Sequence, residues 1–242
     1  MFPFAQKYPV LTTEQMIEVD RAMIEDYHIL LIQMMENAGR CLAILARDRF
    51  LSGNPTAKKV VVLAGTGGNG GGAMVAARRL HNWGAEVTVF VSRKPEREIP
   101  KHQFEILQRM GVSVRVAEIP EIAEKVDLIL DGVIGYSLSG NPRATSGEMI
   151  RWANAQNAPT LSLDTPSGID LTSGTIYEPV MQAVATLTLA LPKVGLFSEA
   201  TAQKVGELYL GDISVPPLLY ASPALQMEVG NLFAQSDIVR LK

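Results

Sequence analysis

Cysteine is nearly missing from this 242-residue chain, and histidine is scarce. The one thiol, Cys41, excludes an internal disulfide, and His28, His81 and His102 lie too far apart for zinc-ligand spacing. Charge is thin as well. Charged residues make up 19% of the chain, the net charge is −3, and no basic block exceeds a few residues, so a nucleic-acid partner is not expected. No run approaches the roughly 18 uninterrupted apolar residues that a membrane helix needs. The opening MFPFAQKYPV also lacks the basic start and apolar stretch of a secretory leader. These absences lead us to expect a soluble, unprocessed protein of a reducing, cytoplasmic compartment.

What is present is apolar mass. Hydrophobic residues form 47% of the sequence, enough to offset the entropy of ordering the chain, and the length suits one large α/β domain better than two. Thr12 and Gln15 have the spacing of a capping box, with Met16, Val19 and Met23 on one face of the helix that follows. A second helix is predicted from about Leu31 to Phe50, its Met34, Met35, Ala38, Leu42 and Leu45 facing a core.

From Lys58 strands alternate with helices. The run Val60 to Leu63 ends in the glycine-rich loop GTGGNGGG, and residues 73–82 read as the helix after it. Strands at 87–91, 112–116, 126–130, 160–163, 185–190 and around 208–210 follow, with helices near 101–110 and 147–156 between them. This pattern predicts a Rossmann-like three-layer α/β sandwich with a mostly parallel central sheet.

In such a sheet ligands bind beyond the carboxyl ends of the strands, where strand order reverses. Four unusual segments fall at those ends: Gly65 to Gly72, Asp131 to Arg143, Asp164 to Asp170, and the Pro192, Lys193, Gly195 cluster. Gly65, Gly67 and Gly70 form a G-x-G-x-x-G, which brings backbone amides close to a diphosphate or simply makes a tight turn. A dehydrogenase would carry an acidic residue after the second strand, where this chain reads Ser92, Arg93, Lys94. Asp131 and Asp164 each follow an apolar strand, where a carboxylate needs a partner, a cation or a helix to cap. Lys193 either reaches an anion or carboxylate or snorkels to solvent. Glu36 is read as structural.

Taken together in order, LTTEQMIEVDRAMIE, MMENAG, VVVLAGTGGNGGG, VDLILDGVIGYSLSGNPR, LSLDTPSGID, ATLTLALPKVGL and VGELYLGDISVP resemble the NAD(P)H-hydrate epimerases, or YjeF N-terminal domain family. The resemblance implies one domain over 1–242, with a helical segment at about 12–50 and an α/β body at about 58–215. It implies epimerisation of the R and S forms of NADHX and NADPHX, the hydrated nicotinamide cofactors, in metabolite repair. Asp164 matches the family's catalytic and substrate-binding aspartate. Gly68, Asn69, Gly70, Gly71 and Gly72 match its glycine loop, and Gly135, Tyr136, Ser137, Leu138, Ser139, Gly140 and Asn141 its second substrate loop. Asn69, Asp131 and Ser167 match positions that help hold a potassium ion, and a homodimer is implied.

Two positions depart from the family pattern. Gly68 stands where the loop normally has asparagine and Gly72 where it has aspartate, so two polar contacts to the substrate are expected to be missing. A noncatalytic nucleotide-binding or dimerisation module of the same fold is therefore the alternative reading. The sequence also ends without the kinase-like dehydratase domain fused to many bacterial relatives, so handling of the S hydrate is expected to need a separate protein.

Overall fold

The computed structural model describes residues 2–4, 7–121, 125–138 and 140–241. Helix α1 (Thr13–Glu25) opens on the expected capping box: Thr12 Oγ1 accepts from the Gln15 amide at 3.2 Å, and Gln15 Oε1 accepts from the Thr12 amide at 2.9 Å. Helix α2 (Leu31–Leu45) widens into a π-helical turn at Ala46–Phe50, so the helical segment does run to Phe50.

Eight strands follow: β1 (Lys59–Ala64), β2 (Glu86–Val91), β3 (Ser113–Val116), β4 (Leu128–Gly132), β5 (Thr160–Leu163), β6 (Ala185–Leu189), β7 (Glu207–Gly211) and β8 (Ile238–Arg240). Helices α3 (Gly68–Asn82), α4 (Glu98–Arg109), α5 (Ala144–Asn154), α6 (Glu199–Val205) and α7 (Pro217–Tyr220) lie between them. The sheet order is β3-β2-β1-β4-β5-β6-β7-β8, parallel throughout except for β8, which pairs antiparallel with β7. The sheet thus extends beyond the 58–215 body expected from sequence.

Strand alternation sorts the core. Val60, Val62 and Ala64 of β1 face a cluster with Cys41, Leu42, Met74 and Leu80, while Val61 and Leu63 face Met149, Ile150 and Ala153 of α5. Both faces of β1 are therefore covered, which is why it reads as an unbroken apolar run. Cys41 is packed away from water, and burial pushes its thiol pKa up to about 12.

The helix expected at 73–82 starts five residues earlier, inside the glycine run. Glycine is a poor helix former, but a side chain could not be accommodated here. A Cβ on Gly70 would overlap the Gly65 carbonyl, one on Gly71 would overlap the Met35 thioether, and one on Gly72 would come within 2.7 Å of Leu163 Cδ2. Close approach of α3 to α2 and to the sheet fixes these glycines.

One ion pair ties the π turn to β7. Arg49 donates to both oxygens of Glu207 at 3.0 and 2.9 Å, and this guanidinium, with the Tyr209 hydroxyl, lowers the Glu207 pKa to about 2. A carboxylate whose folded-state pKa is depressed stabilises the fold above its unfolded pKa of about 4.3 and loses that contribution as pH falls toward 2. Because the pair is largely solvated, Glu207→Gln should cost only about 1 kcal/mol at pH 7. Urea melts should show parent and variant converging between pH 4.5 and 2.

Candidate active site

The parallel register sets Leu63 beside Asp131 and Asp131 beside Ser162, so β1, β4 and β5 end level with one another. Chain order runs outward from β1 to β3 and returns at β4, which puts the reversal point between β1 and β4. A crevice of about 450 Å³ opens there, walled by the Gly65–Gly70 turn, Ser92, Arg93 and Arg97 after β2, and Val133 to Ser137 after β4. Gly71 is the first residue of α3 to donate its amide into the helix, to Gly67 O at 3.0 Å. The amides of Gly68, Asn69 and Gly70 therefore remain available at the positive end of the helix dipole.

Asn69 links this turn to β5. Its side-chain amide donates to Leu163 O at 2.8 Å, and Gly135 packs so close that a Cβ there would lie 2.7 Å from Asn69 Oδ1. That oxygen has no hydrogen-bond partner among the described residues.

Beyond Asn69 and Tyr136 the crevice continues into an apolar pocket of about 100 Å³, walled by Met34, Met35 and Ala38 of α2 together with Leu163, Leu189 and Ile213. Asp164 and Asp20 are its acidic members. Asp164 turns the chain after β5 with φ +63°, a left-handed conformation that aspartate and asparagine tolerate better than most residues. Its Oδ1 accepts from Lys193 Nζ at 2.5 Å and from Thr188 Oγ1 at 3.3 Å. Lys193 also donates to Leu189 O at 2.9 Å and is 0% exposed, so its charge is held entirely by these partners. All of the Asp164 side-chain bonds are made by Oδ1; Oδ2 has no partner among the described residues.

Across the pocket, the Tyr136 hydroxyl donates to Asp20 Oδ2 at 2.7 Å. Burial pushes the Asp20 carboxyl up, opposed by this bond and by the Lys193 ammonium, and burial also raises the Tyr136 phenol.

Asp131 lies within β4 and is 0% exposed. Val133 N and Ser167 Oγ donate to its Oδ1 at 3.1 and 2.6 Å, and Ser162 Oγ and Ser167 N to its Oδ2 at 2.8 and 2.9 Å. Burial raises its pKa while these four donors favour the ionised form. No cationic side chain pairs with it among the described residues. Ser167 Oγ also accepts from Ile134 N at 2.8 Å, one residue from the Gly135 that packs on Asn69. Asp131 and Ser167 are thus in direct contact, with Asn69 reaching the same strand ends from α3.

Of the other positions named from the sequence, Gly68, Asn69, Gly70, Gly135, Tyr136 and Ser137 line the crevice. Leu138, Gly140 and Asn141 line an adjoining pocket that shares Ile134, Ser137 and Ser146 with it. Gly71 and Gly72 do not face the crevice; they are buried against Met35 and Leu163. Ser139 lies outside the described residues. Glu36 serves α2–α3 packing through bonds from Arg78 at 2.7 and 2.6 Å.

Of the two readings open for Lys193, reach to a carboxylate holds and snorkelling to solvent does not, whereas Asp20 was passed over. The available signal for Asp20 was its place four residues after Met16, on the buried face of α1.

A family model described as YjeF-related protein N-terminus matches residues 31–195. The chain is 42% identical to an NAD(P)H-hydrate epimerase of Dehalogenimonas lykanthroporepellens, over 89% of this chain and 86% of that protein. It is 32% identical to an NAD(P)H-hydrate epimerase of Entamoeba histolytica, over 77% of this chain and 82% of that one. A bifunctional NAD(P)H-hydrate repair enzyme of Moorella thermoacetica is 32% identical over 88% of the chain, which spans only 42% of that longer protein. The crystal structure of a yeast protein superposes with a TM-score of 0.81 at 25% identity, covering 97% of this chain and all of its own.

Proposed function

The chain belongs to the family of YjeF-related protein N-termini, and from that premise we propose how its crevice acts as an NAD(P)H-hydrate epimerase, interconverting the R and S forms of NADHX and NADPHX. The observation that carries this reading is the apolar pocket with Asp164 in its wall, joined through Asn69 to an amide-lined helix start. A hydrated nicotinamide ring suits the pocket, and the diphosphate suits the open amides of α3.

The chemistry assigned to the residues is short. The ring nitrogen's lone pair expels the hydroxyl at the neighbouring carbon while Asp164, in its acid form, supplies a proton from Oδ2, giving water and the iminium cation of the still-reduced nicotinamide ring. Water then adds to the opposite face, and Asp164 takes the proton back. Lys193, bonded to Oδ1, keeps the carboxyl group oriented through this cycle, and Met34, Met35 and Leu163 exclude bulk water. The loss of a polar group at Gly72 bears less on this scheme than the sequence suggested, since Gly72 is packed on Leu163, whereas Gly68 lines the crevice and a side chain is missing there. Epimerisation in heavy-oxygen water tests the mechanism: one solvent oxygen should enter the hydrate per inversion. Inversion with the original oxygen retained would point to ring opening at the same carbon.

The potassium site implied by the family is part of this proposal, with Asn69, Asp131 and Ser167 as its protein ligands. The donors are hard oxygens of the kind an alkali cation takes, and among the described residues Asn69 Oδ1 is unclaimed and Asp131 is a buried carboxylate without a cationic partner. Bound there, potassium supplies a fixed positive charge at the strand ends. Exchanging sodium for potassium at constant ionic strength should raise Tm, by about 2–4 °C for each kcal/mol of linkage. Asn69→Ala should remove most of that rise, and a melt indifferent to the cation would contradict the site. The homodimer belongs to the same proposal and is tested by sedimentation equilibrium.

A further inference from the structure

We infer that Ser92, Arg93 and Arg97, at the end of β2, form a subsite for the 2′-phosphate of the substrate's adenosine ribose and so favour NADPHX over NADHX. This rests on the epimerase reading for the direction of the nucleotide. With the hydrated ring beside Asp164 after β5 and the diphosphate at the start of α3, the adenosine half continues along the strand ends toward β2. From β5 to β2 the order is β5-β4-β1-β2, three strand spacings or about 14 Å. The crevice runs in that direction, from its junction with the Asp164 pocket at Asn69 and Tyr136 to Arg93 and Arg97.

Residue chemistry at that end fits a dianion. In nucleotide-binding sheets of this order a carboxylate after the second strand accepts from an unmodified ribose, whereas an arginine accommodates a 2′-phosphate. Here β2 ends at Val91 and is followed by Ser92 and Arg93, with Arg97 one turn of chain later. Both arginines line the crevice, and neither guanidinium has a hydrogen bond or ion pair among the described residues. Two uncommitted guanidinium forks beside a serine hydroxyl therefore stand ready for phosphate oxygens. Glu96 lines the same stretch and offsets one of the two charges, leaving the patch basic.

The test compares adenosine 2′,5′-bisphosphate with adenosine 5′-monophosphate by calorimetry on the whole protein. The bisphosphate should bind about tenfold tighter or more, the ratio given by one well-placed charged hydrogen bond. Arg93→Ala and Arg97→Ala should each shrink the ratio several-fold, and the NADPHX-to-NADHX ratio of kcat/KM should fall in parallel. Both arginines are exposed, so the variants should fold normally. Equal affinity for the two probes, or affinity for neither, overturns the subsite while leaving epimerisation itself untouched. Discrimination between the probes by a protein that inverts neither hydrate would uphold the subsite and strike the epimerase reading instead.

Discussion

Asp164→Asn is expected to slow epimerisation of R-NADPHX by about 100-fold or more, the scale lost with a general acid/base. The amide keeps the shape and tolerates the left-handed φ of +63°, but it has no transferable carboxyl proton. The same substitution should also destabilise the protein. Lys193 is fully buried and would lose the carboxylate that it donates to, and removing one partner of a buried ion pair costs about 3–5 kcal/mol. Rate and stability must therefore be separated. In Asp164→Asn combined with Lys193→Met the unpaired charge is gone, so the melt should recover toward the parent while the rate stays low. Recovery of both would remove Asp164 from proton transfer and leave it a structural partner of Lys193.

Asp131→Ala should have the largest effect on folding. Four donors converge on this carboxylate, two on each oxygen, and when it is removed three of them lose their acceptor while Ser167 Oγ keeps only its longer bond to Ile134 O at 3.3 Å. At about 1–3 kcal/mol for each buried unsatisfied group, the loss rivals the 5–15 kcal/mol that holds a typical domain together. The variant should be largely unfolded or molten at room temperature by near-ultraviolet circular dichroism. Asp131→Asn should fall between it and the parent, because the amide nitrogen turns a donor toward donors. An Asp131→Ala protein that melts within about 0.5 kcal/mol of the parent, as an ordinary surface change would, contradicts the hub.

The physical origin of this hub explains why the sequence showed so little of it. Alternating or continuous apolar runs fix strands through local spacing, and the capping pair Thr12 and Gln15 marks its helix start within four residues. Asp131 and Ser167 are 36 residues apart and Asp164 and Lys193 are 29 apart, so their pairing depends on which strands become neighbours. Sequence placed each of these residues at a strand end but could not choose between a cap, a ligand and an ion pair; their functional roles came from family resemblance. The glycine run was misread as loop because helix propensity disfavours it, whereas packing against Met35 and Leu163 decides the matter. Helix α6 and strand β8 were missed because each is short and draws its stability from tertiary partners.

The most direct test of the account follows pure R-NADPHX over time by chromatography that resolves it from the S form. Catalytic amounts of the protein should bring the mixture to equilibrium far faster than buffer alone, and the Asp164→Asn, Lys193→Met protein should not. Approach to equilibrium at the buffer rate with folded parent protein would contradict the assignment of this crevice as an epimerase site.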